Sequence, residues 1–317
     1  MVNVIPHFDD VRQAARRIAP YVHRTPIFTS QTLDEMTGAP LYFKAENLQK
    51  VGAFKARGAC NAVFALSEAE AAHGVATHSS GNHAQAVAYA AGLRGIPATV
   101  VMPESAPPVK VAAVRDYGAE IVWAGARPLD RERKLEAVLA ETGAHFIHPS
   151  NDPRVIAGQG TAALELMEEI PDLDLVLAPV GGGGLLAGTA LAVAGRAPAA
   201  RVIGAEPVLV DDAARSLRAG RIHPPTGAPT VADGLCTFLG DVNFTIIQER
   251  VSDIVTVSEH SIVDAMRIVW ERMKLIIEPS SAVPVAALFE HPELARGQRV
   301  GIILSGGNVD VTHLPWM

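Results

Sequence analysis

Glu46-Asn47-Leu48-Gln49-Lys50-Val51-Gly52-Ala53-Phe54-Lys55-Ala56-Arg57-Gly58-Ala59 is the stretch from which the rest of the chain is read. It follows an apolar, strand-like run, Leu41-Tyr42-Phe43. Gly52 breaks that pattern, and a helix-like sequence is expected from about Arg57. Lys55 therefore falls on a strand-to-helix connection, beside Ala53 and Phe54. An amine among apolar neighbours loses solvation, so its pKa falls and it becomes a usable nucleophile and base. The plainer alternative is a solvated loop lysine, as most lysines are.

Outward from this stretch, short apolar runs alternate with helical periodicity. Residues 9–19 read as a helix, and Arg24-Thr25-Pro26 starts an extended segment. Helices are expected over 61–72, 84–93, 109–117 and 130–141, with strands over 75–77, 98–102, 120–123 and 145–147. A second set has a helix over 161–169, strands over 175–180, 202–205 and 300–304, and its clearest helix over 261–273. Strands alternating with helices predict an α/β protein whose parallel sheets are joined by crossover helices. No repeat, low-complexity tract or flexible linker interrupts the pattern.

The chain has 317 residues, 49% hydrophobic and 19% charged, enough to bury a substantial core. A net charge of −7 argues against a nucleic-acid surface. Cys60 and Cys236 are the only cysteines, so no disulfide framework exists and a reducing cytoplasm is expected. The start, Met1-Val2-Asn3-Val4-Ile5-Pro6, soon meets Asp9, Asp10 and Arg12, which argues against a signal peptide. Residues 175–195 carry no charge, but Pro179 and Gly181 to Gly184 interrupt them. They read as a buried strand, a glycine loop and a buried helix, so no membrane span is expected.

Four further runs carry chemistry. Ser79-Ser80-Gly81-Asn82-His83-Ala84-Gln85-Ala86 follows a strand and opens a helix, where free N–H groups bind anions; simple capping is the alternative. Gly181-Gly182-Gly183-Gly184-Leu185 joins a strand to a helix, and its bare amides make an anion nest. A relaxed dinucleotide pattern, Gly182-x-Gly184-x-x-Ala187 with Glu206 beyond, also fits there, so an NAD-dependent dehydrogenase is a rival reading. Ser305-Gly306-Gly307-Asn308 follows the last strand. Glu206, Asp211 and Asp212 suit a hard cation, or else only favour a helix start. Arg131, in Asp130-Arg131-Glu132, is either a solvated helix charge or a substrate-facing cation. Zinc spacing and a Gly-x-Ser-x-Gly elbow are both missing.

In this order the runs resemble the fold-type II, tryptophan-synthase β-like pyridoxal-phosphate enzymes. The likeness is closest to the serine/threonine dehydratase, serine racemase and 3-hydroxyaspartate dehydratase group. Gly52 to Ala59 matches the lysine motif, with Ala53 where many members have serine. The likeness extends from Arg24-Thr25-Pro26 to Asn308-Val309-Asp310 and takes in His148-Pro149-Ser150-Asn151 and the run from Val155 to Thr161. It implies two parallel-sheet α/β domains with the cofactor in the cleft between them. Residues 1–73 and 151–317 would form the large domain and 74–150 the small one.

The resemblance also implies roles. Lys55 would hold pyridoxal 5'-phosphate as a Schiff base, beside Phe54. Asn82 would meet the ring oxygen, Gly181, Gly182, Gly183, Gly184 and Leu185 would cradle the phosphate, and Ser305 would meet the pyridine nitrogen. A neutral hydroxyl there makes the ring a weaker electron sink, which suits elimination. Gly234, next to Asp233, and Glu278 would lie beside the cofactor. Ser79, Ser80, Gly81, Asn82 and His83 would hold the carboxylate of an amino-acid substrate, although for His83 itself a helix-start histidine that only packs is the favoured reading. Ser80 matches the acid/base of serine racemases on the face opposite the lysine, and Arg131 would face the substrate. Mg²⁺ would sit on Glu206, the Val210 carbonyl and Asp212. The chain would lack the regulatory domain of long threonine dehydratases. The implied activity is loss of water from L-serine- or L-threonine-type amino acids to give a keto acid and ammonia. A 3-hydroxyaspartate dehydratase, towards which Ala53 and Leu314-Pro315-Trp316 lean, or a serine racemase is the alternative. A cytoplasmic homodimer is expected.

Overall fold

A computed structural model describes residues 4–106, 108–125 and 127–317. Met1-Val2-Asn3, read above as part of the start, lies outside the described residues. Among the described residues the strands are β1 (Ile27–Phe28), β2 (Leu41–Ala45), β3 (Val75–His78), β4 (Ala98–Pro103) and β5 (Glu120–Ala124). They continue with β6 (His145–Phe146), β7 (Leu175–Pro179), β8 (Arg201–Pro207), β9 (Asp253–Val257) and β10 (Val300–Leu304).

The strands form two sheets. The larger runs β1-β2-β10-β7-β8-β9, parallel throughout except for β1 against β2. The smaller runs β5-β4-β3-β6 and is wholly parallel. Every residue of β7 and β10 is buried, as expected of parallel strands covered on both faces. Along β7 the side chains alternate between two apolar layers. Val176 and Ala178 enter one, while Leu175 and Leu177 enter the other. The edge strand β5 is half exposed and carries Trp123 at the surface.

The alternation agrees with the sequence reading; several boundaries differ. The lysine helix is Lys55–Ala65, two residues earlier than expected. It stops before a separate Glu68–Ala71 helix, which Ser67 and Glu70 open with a reciprocal capping box. The helix expected over 161–169 begins at Pro153, where Asp152 caps the amides of Arg154 and Val155. Strand β1 falls in the extended segment expected from Arg24-Thr25-Pro26, whereas β9 was not anticipated.

The Lys55–Ala65 helix links the two layers. Ala56, Ala59 and Cys60 pack with Val75, Val100 and Met102 of the smaller sheet. On another side Gly58 meets Gly158 of the Pro153–Glu169 helix. A Cβ on Gly158 would lie 2.6 Å from the Gly58 Cα, so this crossing requires glycine. No described helix is long and apolar enough to cross a membrane.

Candidate active site

The carboxyl ends of strands from both sheets open on one cavity of about 550 Å³. Lys55 lies beyond β2, Ser79 to His83 beyond β3, and His148 beyond β6. The glycine run lies beyond β7 and Ser305 beyond β10. In parallel sheets this edge collects loops and helix starts with free N–H groups, and ligands bind there.

The lysine loop is held by the segment after β10. Phe54 N donates to Ser305 O at 2.9 Å, Gly307 N donates to Gly52 O at 2.9 Å, and Ala53 bridges to Gly306. Lys55 Nζ donates to Pro149 O at 2.8 Å and lies 5.1 Å from the Phe54 ring centre. Burial lowers its pKa from 10.5 to about 8, against the pull of the Glu278 carboxylate. Two residues on, Arg57 is fully buried and forks onto Glu46 and Glu165 at 2.7–2.8 Å. Lys44, also fully buried, adds a 2.7 Å contact to Glu165. The start of the lysine helix is thus fixed by a buried four-charge cluster.

Asn82, first residue of the Asn82–Arg94 helix, bonds Glu278 through Nδ2 at 3.0 and 3.2 Å. Its Oδ1 accepts from Asn308 Nδ2 at 2.9 Å. Burial raises Glu278 to about 7. Ser79 and Ser80 are half-buried on the cavity wall with Gly81. His83 bonds Ile147 O through Nε2 at 3.1 Å, and its buried Nδ1 has no partner among the described residues. Burial holds the ring neutral, far below its ordinary pKa. Arg131 reaches the cavity with a buried Nε that lacks a partner among the described residues. Lys110 also lines it and pairs with Asp233 at 2.7 Å. Gly234 and Glu278 complete that wall.

Gly183 caps the Gly184–Arg196 helix at φ +80°, a conformation that favours glycine. A Cβ there would lie 2.6 Å from a Leu239 methyl, and one on Gly181 2.8 Å from the Leu235 Cα. Asn243 Nδ2 donates to Gly182 O at 2.6 Å and fixes the loop. Its bare amides and the helix start suit one phosphate group. Ser280 Oγ is a buried atom on the same cavity without a partner among the described residues. A lysine nucleophile, an anion nest and unpartnered polar atoms around one cavity fit pyridoxal phosphate.

The dehydrogenase reading fares worse. Glu206, needed there for a ribose, accepts from the amides of Ala213 (3.3 Å) and Ala214 (2.6 Å) and does not line the cavity. Burial raises Glu206 to about 8 and Asp212 to about 6, and Asp212 Oδ2 is buried without a partner among the described residues. Among the described residues no three His, Cys, Asp or Glu side chains are grouped to hold a metal. A cation here would need backbone carbonyls such as that of Val210 as well.

Residues 18–306 match the profile of the family described as pyridoxal-phosphate dependent enzyme. The chain belongs to that family. A β-hydroxyaspartate dehydratase of Paracoccus denitrificans is 53% identical over 98% of this chain and 99% of its own. An L-threo-3-hydroxyaspartate ammonia-lyase of Saccharomyces cerevisiae is 48% identical over 97% of this chain and 95% of its own. The structure of maize serine racemase superposes with a TM-score of 0.95 at 46% identity, over 98% of this chain and 95% of that one. The protein has the tryptophan-synthase β-like fold of these pyridoxal-phosphate enzymes. The cavity brings together Lys55, Phe54, the Ser79–His83 loop, Arg131, the glycine run with Leu185, Gly234, Glu278 and Ser305. Glu206, Val210 and Asp212 lie outside it. Sequence reading assigned no role to His78, Lys110 or His148, which also line it. For the histidines the available signal was position, each at or just beyond the carboxyl end of a strand.

Proposed function

We propose that this pyridoxal-phosphate enzyme is an ammonia-lyase that removes water from β-hydroxy amino acids, with 3-hydroxyaspartate as the preferred substrate. The observation that carries the dehydratase reading is Lys55, an amine softened to about 8 at the junction of both sheets. The choice of a dicarboxylate rests on Arg131, which reaches the cavity with a buried Nε that has no partner among the described residues, and on the hydroxyaspartate-acting relatives.

In this reading Lys55 would hold the cofactor and, as a free amine, would take the proton from Cα. When bound, the cofactor would supply an electron sink for the pair left behind. Gly181 to Leu185 bind its phosphate, while Asn82, Phe54, Gly234, Glu278 and Ser305 fix its ring. The amides of Ser79 to His83 hold the α-carboxylate, and Arg131 takes the second one. Ser80 serves the opposite face of Cα. Removing water then gives an enamine, which hydrolyses to a keto acid and ammonia. The two sheets correspond to domains 1–73 with 151–317 and 74–150. Glu206, the Val210 carbonyl and Asp212 take Mg²⁺, a use supported by the orphaned Asp212 oxygen. A homodimer fits exposed Leu48 and Ile276, on segments joined by the 3.0 Å bond from Asn47 Nδ2 to Ile276 O, and a cytoplasmic setting fits the free cysteines Cys60 and Cys236.

Keto acid and ammonia should be measured with serine, threonine and the 3-hydroxyaspartate isomers. Turnover of 3-hydroxyaspartate well above that of serine is expected; a preference for serine or threonine would overturn the substrate assignment. Ser80→Ala should keep part of L-elimination and lose racemisation wherever the parent shows it. Racemisation at the parent rate would remove Ser80 from that role.

A further inference from the structure

His148 lines the cavity just beyond β6, its ring centre 5.5 Å from that of Phe146 and 6.4 Å from that of His78. Its Nδ1 accepts two backbone bonds, from Ser150 N at 3.1 Å and Asn151 N at 2.9 Å. A nitrogen that accepts from N–H donors carries no proton of its own. The proton of the neutral ring is therefore on Nε2. Nε2 makes no hydrogen bond among the described residues, and it is the ring's remaining polar atom. Burial, with His78 and Lys55 as positive neighbours, pushes the ring down to about 4 despite the opposing charge of Asp241. The ring is thus a neutral donor whose tautomer its own loop fixes.

We infer that His148 Nε2–H donates a hydrogen bond to the β-hydroxyl of the substrate, the group that leaves. This rests on the dehydratase reading above. In the elimination the Cα–H bond breaks and its proton goes to Lys55. The electron pair becomes the second Cα–Cβ bond. The Cβ–O pair departs with oxygen, which takes the proton that Lys55 removed from Cα and leaves as water, while His148 keeps its own proton, so protons balance. Negative charge gathers on that oxygen only as the bond breaks. A fixed neutral donor therefore acts mostly in the transition state. Substrate carboxylates have the loop amides and Arg131 instead.

The test separates this role from simple stapling of the 148–151 loop. In the cofactor-loaded enzyme, His148→Asn keeps an acceptor near Nδ1 and removes Nε2–H. Keto-acid formation from 3-hydroxyaspartate should fall by roughly 10²-fold. Exchange of the Cα hydrogen of L-aspartate in D2O, which needs no leaving hydroxyl, should stay within about two-fold of the parent. The ¹⁵N spectrum of labelled parent enzyme should show His148 protonated on Nε2 alone from pH 6 to 9. Equal falls in elimination and exchange, unchanged elimination, or a proton on Nδ1 would overturn the inference. A parent that exchanges the Cα hydrogen but eliminates from no β-hydroxy amino acid would instead overturn the dehydratase reading, and with it this role.

Discussion

Covalent capture of pyridoxal phosphate by the apoenzyme should titrate far below an ordinary lysine. The attacking species is the neutral amine. Burial is the leading cause that takes Lys55 from 10.5 to about 8, and the charge of Glu278 opposes it. At pH 7.5 a group of pKa about 8 is roughly 24% neutral, against about 0.1% at the ordinary value, an advantage of about 200-fold. The assay mixes apoenzyme with cofactor at a series of pH values, fixes the adduct with borohydride and counts modified Lys55 by mass spectrometry. The rate should fall as pH drops through about 8 and level above it. Glu278→Gln removes a charge that favours the ammonium form, so it should move the midpoint lower still. The same shift has a stability consequence of fixed sign. The folded pKa lies below the unfolded one, so the fold penalises the ammonium below pH 8, and this penalty fades between about 8 and 10.5. A capture midpoint near 10.5 would refute the desolvated lysine, and a rise in the midpoint with Glu278→Gln would refute the electrostatic account.

Arg57→Met leaves Glu46 buried without its guanidinium and should destabilise by about 3–5 kcal/mol. Adding Glu46→Gln should recover part of that loss in thermal melts, whereas additive losses would show that packing dominates. Gly183→Ala forces a side chain into φ +80° and against Leu239, so cofactor titration should show weakened affinity with the fold intact. Unchanged affinity would mean the loop does not hold the phosphate. Mg²⁺ at about 100 times its Kd should stabilise by about 2.7 kcal/mol. The gain should be larger at pH 8.5 than at pH 6, because Glu206 and Asp212 must lose protons held up to about 8 and about 6. Identical melts with and without chelator would leave these carboxylates as a helix-start feature.

Much of the site was legible because its needs are local. A glycine run between a strand and a helix, or a serine-rich helix start, declares an anion site through backbone geometry alone. Lys55 stood out through its apolar neighbours. Its helix, expected from about Arg57, starts at Lys55 because the turn is set by contacts distant in sequence. Inside it Gly58 packs against the Gln159 side chain and the Val155 carbonyl, where a Cβ would lie 2.9 Å from that oxygen, about 100 residues away in sequence. The break between Ala65 and Glu68 had a local signal, the Ser67–Glu70 capping box, that hydrophobic periodicity outweighed. Strand β9 pairs only with β8 and keeps Asp253 exposed, so its pattern was weak. His148 and Lys110 gain meaning only from the folded cavity. Nothing near His148 in the pattern reveals that Ser150 and Asn151 turn back onto its ring.

Neither sheet holds a complete site. Lys55, the glycine run and Ser305 come with the larger sheet, and Ser79 to His83, Arg131 and His148 come with the smaller. Besides the 2.8 Å bond from Lys55 Nζ to Pro149 O, two side-chain links cross between them at the cavity. Lys110 to Asp233 is a short ion pair, but 24% and 68% of these side chains remain exposed. Such a pair contributes only about 0–1 kcal/mol and weakens with salt. Asn82 joins both Glu278 and Asn308 within the partly buried wall, where a lost partner leaves polar atoms without water. Holding the halves together at the reacting atoms therefore falls mainly to the Asn82–Glu278–Asn308 set. The exposed pair can open without disturbing it. The same Glu278 sets part of the Lys55 titration, so the group that joins the sheets also tunes the amine between them.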